Sequence, residues 1–280
     1  MENLPRFAEI MTREQFDVAE ASLLLAADAY PDIDVAAGLA QLDRMAEVVR
    51  GRVSADAFAE QKLTALNRYL YDELGYAGNA TDYFDPRNSY LNDVLERRTG
   101  IPITLSILYL ELGRRLGLDV RGVSFPGHFM VKLRVHRGQL ILDPFNRGEA
   151  QSIAALRLRL AQALPPGADQ DAAGRAPLDP YLVDAAPRDI IARVLRNLKH
   201  VHIKAGRIEA ALAVMNRMLL VVPESAEELR DRGMLYRQLE CFRPALSDLQ
   251  NYLRRRPQAP DADGIRAQVW ELQQAATRLH

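Results

Sequence analysis

Cysteine is nearly absent from this chain: Cys241 is the single one in 280 residues. One thiol permits no internal disulfide, so stability must come from packing, and a reducing cytoplasm is the expected setting. Long apolar runs are missing as well. No stretch of about 18 or more uncharged apolar residues occurs, so a membrane span is not expected. No early basic segment leads into an apolar run, which argues against a secretory signal. An excess of one charge is also lacking. The 36 Lys and Arg face 37 Asp and Glu, and a net charge of −1 supplies no field suited to nucleic acid. What remains is ordinary globular composition, 48% hydrophobic and 26% charged. At roughly 150 residues per domain, the length suits one large domain or two modest ones.

The near-neutral total is a cancellation. Residues 1–150 carry 17 basic and 22 acidic side chains, and residues 151–280 carry 19 and 15. A split from −5 to +4 suggests two units with different surfaces, although scatter over solvated faces gives the same sum. Composition places the break at residues 164–187, where five prolines and two glycines cannot sustain a helix. That stretch reads as a linker or long surface loop between an α+β domain over 1–163 and a helical region over 188–280.

Upstream, residues 13–75 read as helices, with Thr12 and Ser54 as candidate N-caps followed by acidic first-turn residues. Phe16, Ala19, Leu23 and Ala26, then Phe58, Leu63, Leu66 and Leu70, repeat at helical spacing. Gly75 to Asn88 reads as a loop. A short helix from Ser89 to Arg98 and another from Pro102 to Leu116 follow, Pro102 suiting a first turn. Val120–Phe125, Phe129–Val135 and Gln139–Leu142 then read as three short strands, with Arg137-Gly138 turning the second hairpin. Downstream the chain repeats: Ala211, Leu212, Leu219 and Pro223 recur as Ala245, Leu246, Leu253 and Pro257, each 34 residues on. That is the tetratricopeptide period, and it resolves units at 190–223 and 224–257 with a closing helix at 261–278. Such arrays hold peptides or partner helices on a concave face.

Chemistry concentrates between Asn88 and Gly148. A helix N-terminus lowers the pKa of a nucleophile placed there, a His on the next strand can act as its base, and an Asp on the strand after can fix the imidazole tautomer. His128 and Asp143 occupy the last two places. Bland readings stand beside these. His128 follows a Pro-Gly turn and could hydrogen-bond within the core, Asp143 before Pro144 is a common turn opener, and Thr104 in a first helical turn can cap or pack. His200 and His202 would point about 200° apart on a helix and do not converge on a metal. Arg254-Arg255-Arg256 closes a helix, where cations suit the dipole. No phosphate-binding loop, dinucleotide fingerprint or zinc spacing occurs, so no cofactor or metal is expected.

Asn92, Gly100-Ile101-Pro102, Gly117, Gly127-His128 and Leu142-Asp143-Pro144 together resemble the SirB-type transglutaminase-like proteins over roughly residues 40–257. The resemblance implies a papain-like or transglutaminase-like core, a helix plus a small antiparallel sheet, joined to C-terminal tetratricopeptide repeats. The superfamily uses Cys, His and Asp, which carries the base onto His128 and the orienter onto Asp143. The cysteine would fall near Pro102, and nothing from Ile101 to Ser106 is a thiol. The resemblance therefore implies a non-catalytic, regulatory interaction protein of the bacterial cytoplasm, with a protein or peptide partner on the repeats. The rival expectation is a hydrolase or acyl transferase using Thr104 or Ser106 with His128 and Asp143. A third is capture of a ligand in the old cleft, walled by Tyr90, Asn92, Ser106, Phe125 and Phe145.

Overall fold

The structure is a computed structural model that describes residues 3–136, 138–163 and 176–278. The chain forms two compact units, Met1–Val194 and Leu195–His280. The first opens with four helices, α1 (Asn3–Ile10), α2 (Val18–Leu25), α3 (Val35–Arg50) and α4 (Ala59–Asn67). The N-caps differ from the expected Thr12 and Ser54. Asp17 accepts the Glu20 amide and Asp34 the Ala37 amide, whereas Thr12 donates to the Glu9 carbonyl at the end of α1. Asp17 and Asp34 stand directly ahead of α2 and α3, where a carboxylate suits the positive end of a helix, whereas α4 begins only after Phe58 and the Ser54 hydroxyl donates to Asp56 instead. Phe58, counted in the second apolar stripe, stands 76% exposed just ahead of α4.

α4 runs on as one π-helical turn over Arg68–Glu73, with Leu74 N–H reaching back five residues to Tyr69. β1 (Ala77–Gly78) then lies inside the expected loop and pairs in parallel with β2 (Thr99–Gly100). Between them sits α5 (Leu91–Arg97). α6 (Pro102–Arg115) is the spine of the unit, buried along Ile103, Leu105, Ile107, Leu108, Tyr109 and Leu112. On it packs an antiparallel sheet in the order β3 (Val120–Val123), β4 (Met130–Val135), β5 (Gly138–Asp143), β6 (Glu149–Ala150). Arg137 lies outside the described residues, and β6 is a two-residue strand that the alternation did not mark. α7 (Ile153–Ala163) sends Leu156 and Leu160 into a core with Val123, Phe125, Met130 and Ile141. Ala176, Leu178, Tyr181 and Leu182, from the second half of the Pro/Gly-rich stretch, pack against the same core; 164–175 fall outside the described residues. Lys132, itself buried, clamps this segment through the Leu182 carbonyl at 2.7 Å and Asp184 at 2.5 Å.

α8 (Pro187–Lys204) spans the boundary between the units. The repeat unit continues through α9 (Ile208–Val221), α10 (Ala226–Gln238), α11 (Phe242–Arg255) and α12 (Ala262–Arg278). The 34-residue period is thus a period of helix pairs. Gly233 marks one close approach in the second pair: a Cβ there would meet Leu249 at 2.9 Å, so α10 and α11 approach backbone to side chain. Ala245, Leu249, Tyr252, Ile265 and Leu272 fill the core behind them. Arg232 binds Asp248 through two bonds of 2.7 and 2.8 Å and also holds Asn216, joining α9, α10 and α11. The described residues are mostly helical, an α+β unit followed by paired helices at the 34-residue period.

Candidate functional site

His128 sits two residues before β4, after the Pro126-Gly127 turn, and Asp143 is the last residue of β5. Because β4 and β5 are hydrogen-bonded neighbours, the two side chains meet: His128 Nε2 lies 2.8 Å from Asp143 Oδ1. Asp143 is fully buried, and every donor it needs is present. Oδ1 also accepts the Phe145 amide at 3.1 Å, while Oδ2 accepts Asn146 Nδ2 at 2.6 Å and Arg159 Nη2 at 3.3 Å. Burial by itself raises a carboxyl pKa. Here the hydrogen bond and charge of His128, with Asn146 and Arg159, outweigh it and hold Asp143 below the usual carboxylate range. The turn-opening and pairing readings of Asp143 are therefore both realised, one oxygen serving His128 and the Phe145 turn at once. With Nε2 bonded to the carboxylate, Nδ1 is the ring nitrogen that Asp143 does not engage.

The loop behind Asp143 is buttressed from the π-helical turn. Tyr71 donates to the Pro144 carbonyl at 3.0 Å, and Asn67 donates to Gly148 O at 3.4 Å while accepting the Tyr109 hydroxyl at 2.6 Å. Burial pushes the Tyr71 phenol well above its ordinary pKa, which keeps it a donor. Phe145 stands edge-on to the His128 ring at 6.1 Å and covers Gly78 of β1, where a Cβ would lie only 2.5 Å from the phenyl ring. Asn67, Tyr71, Asn146 and Arg159 were missed in the sequence. Their only signal there is a polar or aromatic residue on an otherwise unremarkable helix or turn.

The hydroxyls are engaged elsewhere. Thr104 Oγ1 donates to the Asn88 carbonyl at 2.7 Å and accepts the Ile101 amide at 3.1 Å, closing the first turn of α6. Ser106, fully buried, donates to Phe129 O at 3.4 Å. Around the expected cysteine position stand Ile101, Pro102, Ile103 and Thr104, all buried, and no thiol. Cys241 is exposed at the start of α11, in the repeat unit. Of the other expected wall residues, Phe125 is buried in the sheet core beside Tyr181, and Tyr90 packs edge-on to Tyr30 at 5.9 Å. Asn92 keeps a buried Oδ1 without a hydrogen-bond partner. Tyr30 donates to Asp93 at 2.7 Å, and burial with that carboxylate pushes its phenol up to about 12. Among the described residues no group of three or more His, Cys, Asp or Glu could hold a metal ion, and no helix is long and apolar enough to cross a membrane.

A spine helix carrying a small antiparallel sheet, with a His–Asp pair at the mouths of adjacent strands, defines a transglutaminase-like unit, here continued by tetratricopeptide helices. Comparison with known families agrees: residues 36–196 match the Transglutaminase-like superfamily and residues 198–269 match the Tetratricopeptide repeat. The first match spans more than half of the chain, and the chain belongs to that transglutaminase-like family. Individual relatives sharpen this. A UPF0162 protein of Xylella fastidiosa is 40% identical over 95% of this chain and 94% of its own length. A UPF0162 protein of Vibrio cholerae is 33% identical over 91% and 93%, and Protein SirB1 of Salmonella typhimurium is 28% identical over 86% and 87%. The SirB-type resemblance thus extends over nearly the full chain.

Proposed function

We propose that this chain is a non-catalytic interaction protein of regulatory type, working in the cytoplasm. Its transglutaminase-like part, residues 1–163, serves as a scaffold, and its repeats, residues 188–280 joined through 164–187, engage a protein or peptide partner. The observation that carries the reading is local. The first turn of α6 holds no thiol, and both nearby hydroxyls are spent on backbone carbonyls, Thr104 on Asn88 and Ser106 on Phe129. His128 and Asp143 are then a retained base and orienter that hold β4, β5 and the Pro144 turn together, because a buried imidazole needs a partner.

The paired geometry itself favours one other reading, a hydrolase or acyl transferase in which Thr104 or Ser106 rotates toward His128. Cross-linking in intact cells, followed by identification of bound proteins, separates the two. The expected partners survive His128→Ala and disappear when residues 198–269 are deleted. A partner retained after that deletion removes the repeats from the account. Amide or ester hydrolysis by the full chain that is abolished in His128→Ala establishes the enzyme instead.

A further inference from the structure

We propose that the repeat unit carries a docking site for an acidic, extended peptide, in the cavity of about 780 Å³ between α10, the end of α11 and the loop 256–261 that leads into α12. The inference rests on the interaction reading above and gives its partner a chemistry. The unit from Leu195 onward has fourteen Lys and Arg against ten Asp and Glu, so its background field attracts anions. Within the cavity the three arginines are not equivalent. Arg230 is committed: it bonds Asp261 and Asp231 at 2.8 Å each and lies over the Tyr252 ring at 5.7 Å.

Arg255 and Arg256 are held loosely. Arg255 donates to the Pro223 carbonyl at 2.8 Å, and its nearest carboxylate, Glu224, is 3.6 Å away and 90% exposed. Arg256 faces Glu227 at 3.4 Å, with the two side chains 61% and 54% exposed. Exposed pairs of this kind contribute little, so an incoming carboxylate can take either guanidinium with small loss. Next to these cations lie the exposed Pro257 and Pro260, a rigid apolar lining against which an extended backbone can pack, with the buried Tyr252 as the floor beneath Arg230. The basic run at 254–256 therefore does more than close a helix: two of its members, Arg255 and Arg256, line this cavity.

Fluorescence anisotropy on the full chain tests this with two labelled probes, (Glu-Pro)5 and (Gln-Pro)5. The Glu peptide is expected to bind at least about tenfold tighter than the Gln peptide, and to weaken as salt rises. Arg255→Glu with Arg256→Glu should lower that affinity about tenfold or more. Arg207→Glu with Arg237→Glu, of the same net charge but outside the cavity, should change it less than about threefold. Arg255→Gln with Arg256→Gln replaces the reversal if its circular-dichroism melt drops. Equal binding of both probes, no binding of either, or equal loss in both charge-reversed variants overturns the site. If cellular partners still vanish on deletion of 198–269 while neither probe binds, the interaction reading stands and only the acidic-peptide site fails.

Discussion

Asp143→Asn probes the network directly, because the two side chains have nearly the same shape and differ in what their oxygens can accept. The carboxylate receives four donors: His128 and the Phe145 amide on one oxygen, Asn146 and Arg159 on the other. An asparagine oxygen can keep the first pair. Its amide nitrogen then points donor-to-donor at Asn146 and Arg159, and His128 loses the negative charge beside it. Hydrogen bonds to charged groups contribute about 1.5–3 kcal/mol each. The neutral amide is cheaper to bury, which offsets part of that loss. The expected net loss is about 3 kcal/mol, within the range for breaking buried charged pairs.

Urea denaturation followed by circular dichroism measures it. The pH dependence supplies the sign. Asp143 has a folded-state pKa below its unfolded value, so its contribution is present above about pH 4 and is lost as pH falls through the folded pKa. The gap between wild type and Asp143→Asn should therefore be full near neutrality and shrink below about pH 4. A loss under about 1 kcal/mol at pH 7, or a gap that widens on acidification, would refute the idea that these four donors hold an ionised carboxylate.

Three further outcomes follow from the same geometry. Thr104→Val removes the hydroxyl that bridges Asn88 O and Ile101 N–H, and should cost about 1–3 kcal/mol in a urea titration; a neutral result would free Thr104 for chemistry. Gly78→Ala drives a methyl to 2.5 Å from Phe145, so about 1–3 kcal/mol should be lost and the ring should move off His128, visible as a shift of the imidazole proton signals. Arg232→Ala leaves the buried Asp248 without its bidentate partner and should cost about 3–5 kcal/mol, read from thermal denaturation; a change of a few tenths would mean that solvent reaches Asp248.

Much of this protein could be read without coordinates, for a definite reason. The α6 helix is set by Pro102 at its first turn and an apolar face, and the strands by alternation, so both come from neighbours in the sequence. The 34-residue period gives helix pairs in the same way, since Ala211 and Ala245 recur as buried small residues of the paired helices. The charge asymmetry between halves is likewise carried by sequence alone. N-caps failed at Thr12 and Ser54 because α2 and α4 begin later, after Asp17 and Phe58, and local composition does not fix where the chain turns into a helix. β1, β2 and β6 escaped because two-residue strands have no periodicity to detect.

The candidate site divides along the same line. The absence of a thiol between Ile101 and Ser106 is a property of the sequence, and it alone removes cysteine chemistry from that helix end. That His128 meets Asp143 depended on the pairing of β4 with β5, a register set over 15 residues. Arg159, Asn146 and Tyr71 joined them only through packing of α7, the Pro144 turn and the π-helical turn on that sheet. The commitment of Thr104 to Asn88, 16 residues away, is of the same kind. Composition and spacing determined which groups the chain owns and which helices and strands it makes; tertiary structure decided which groups meet, because a hydrogen bond requires contact within about 3 Å and sequence proximity does not set that distance.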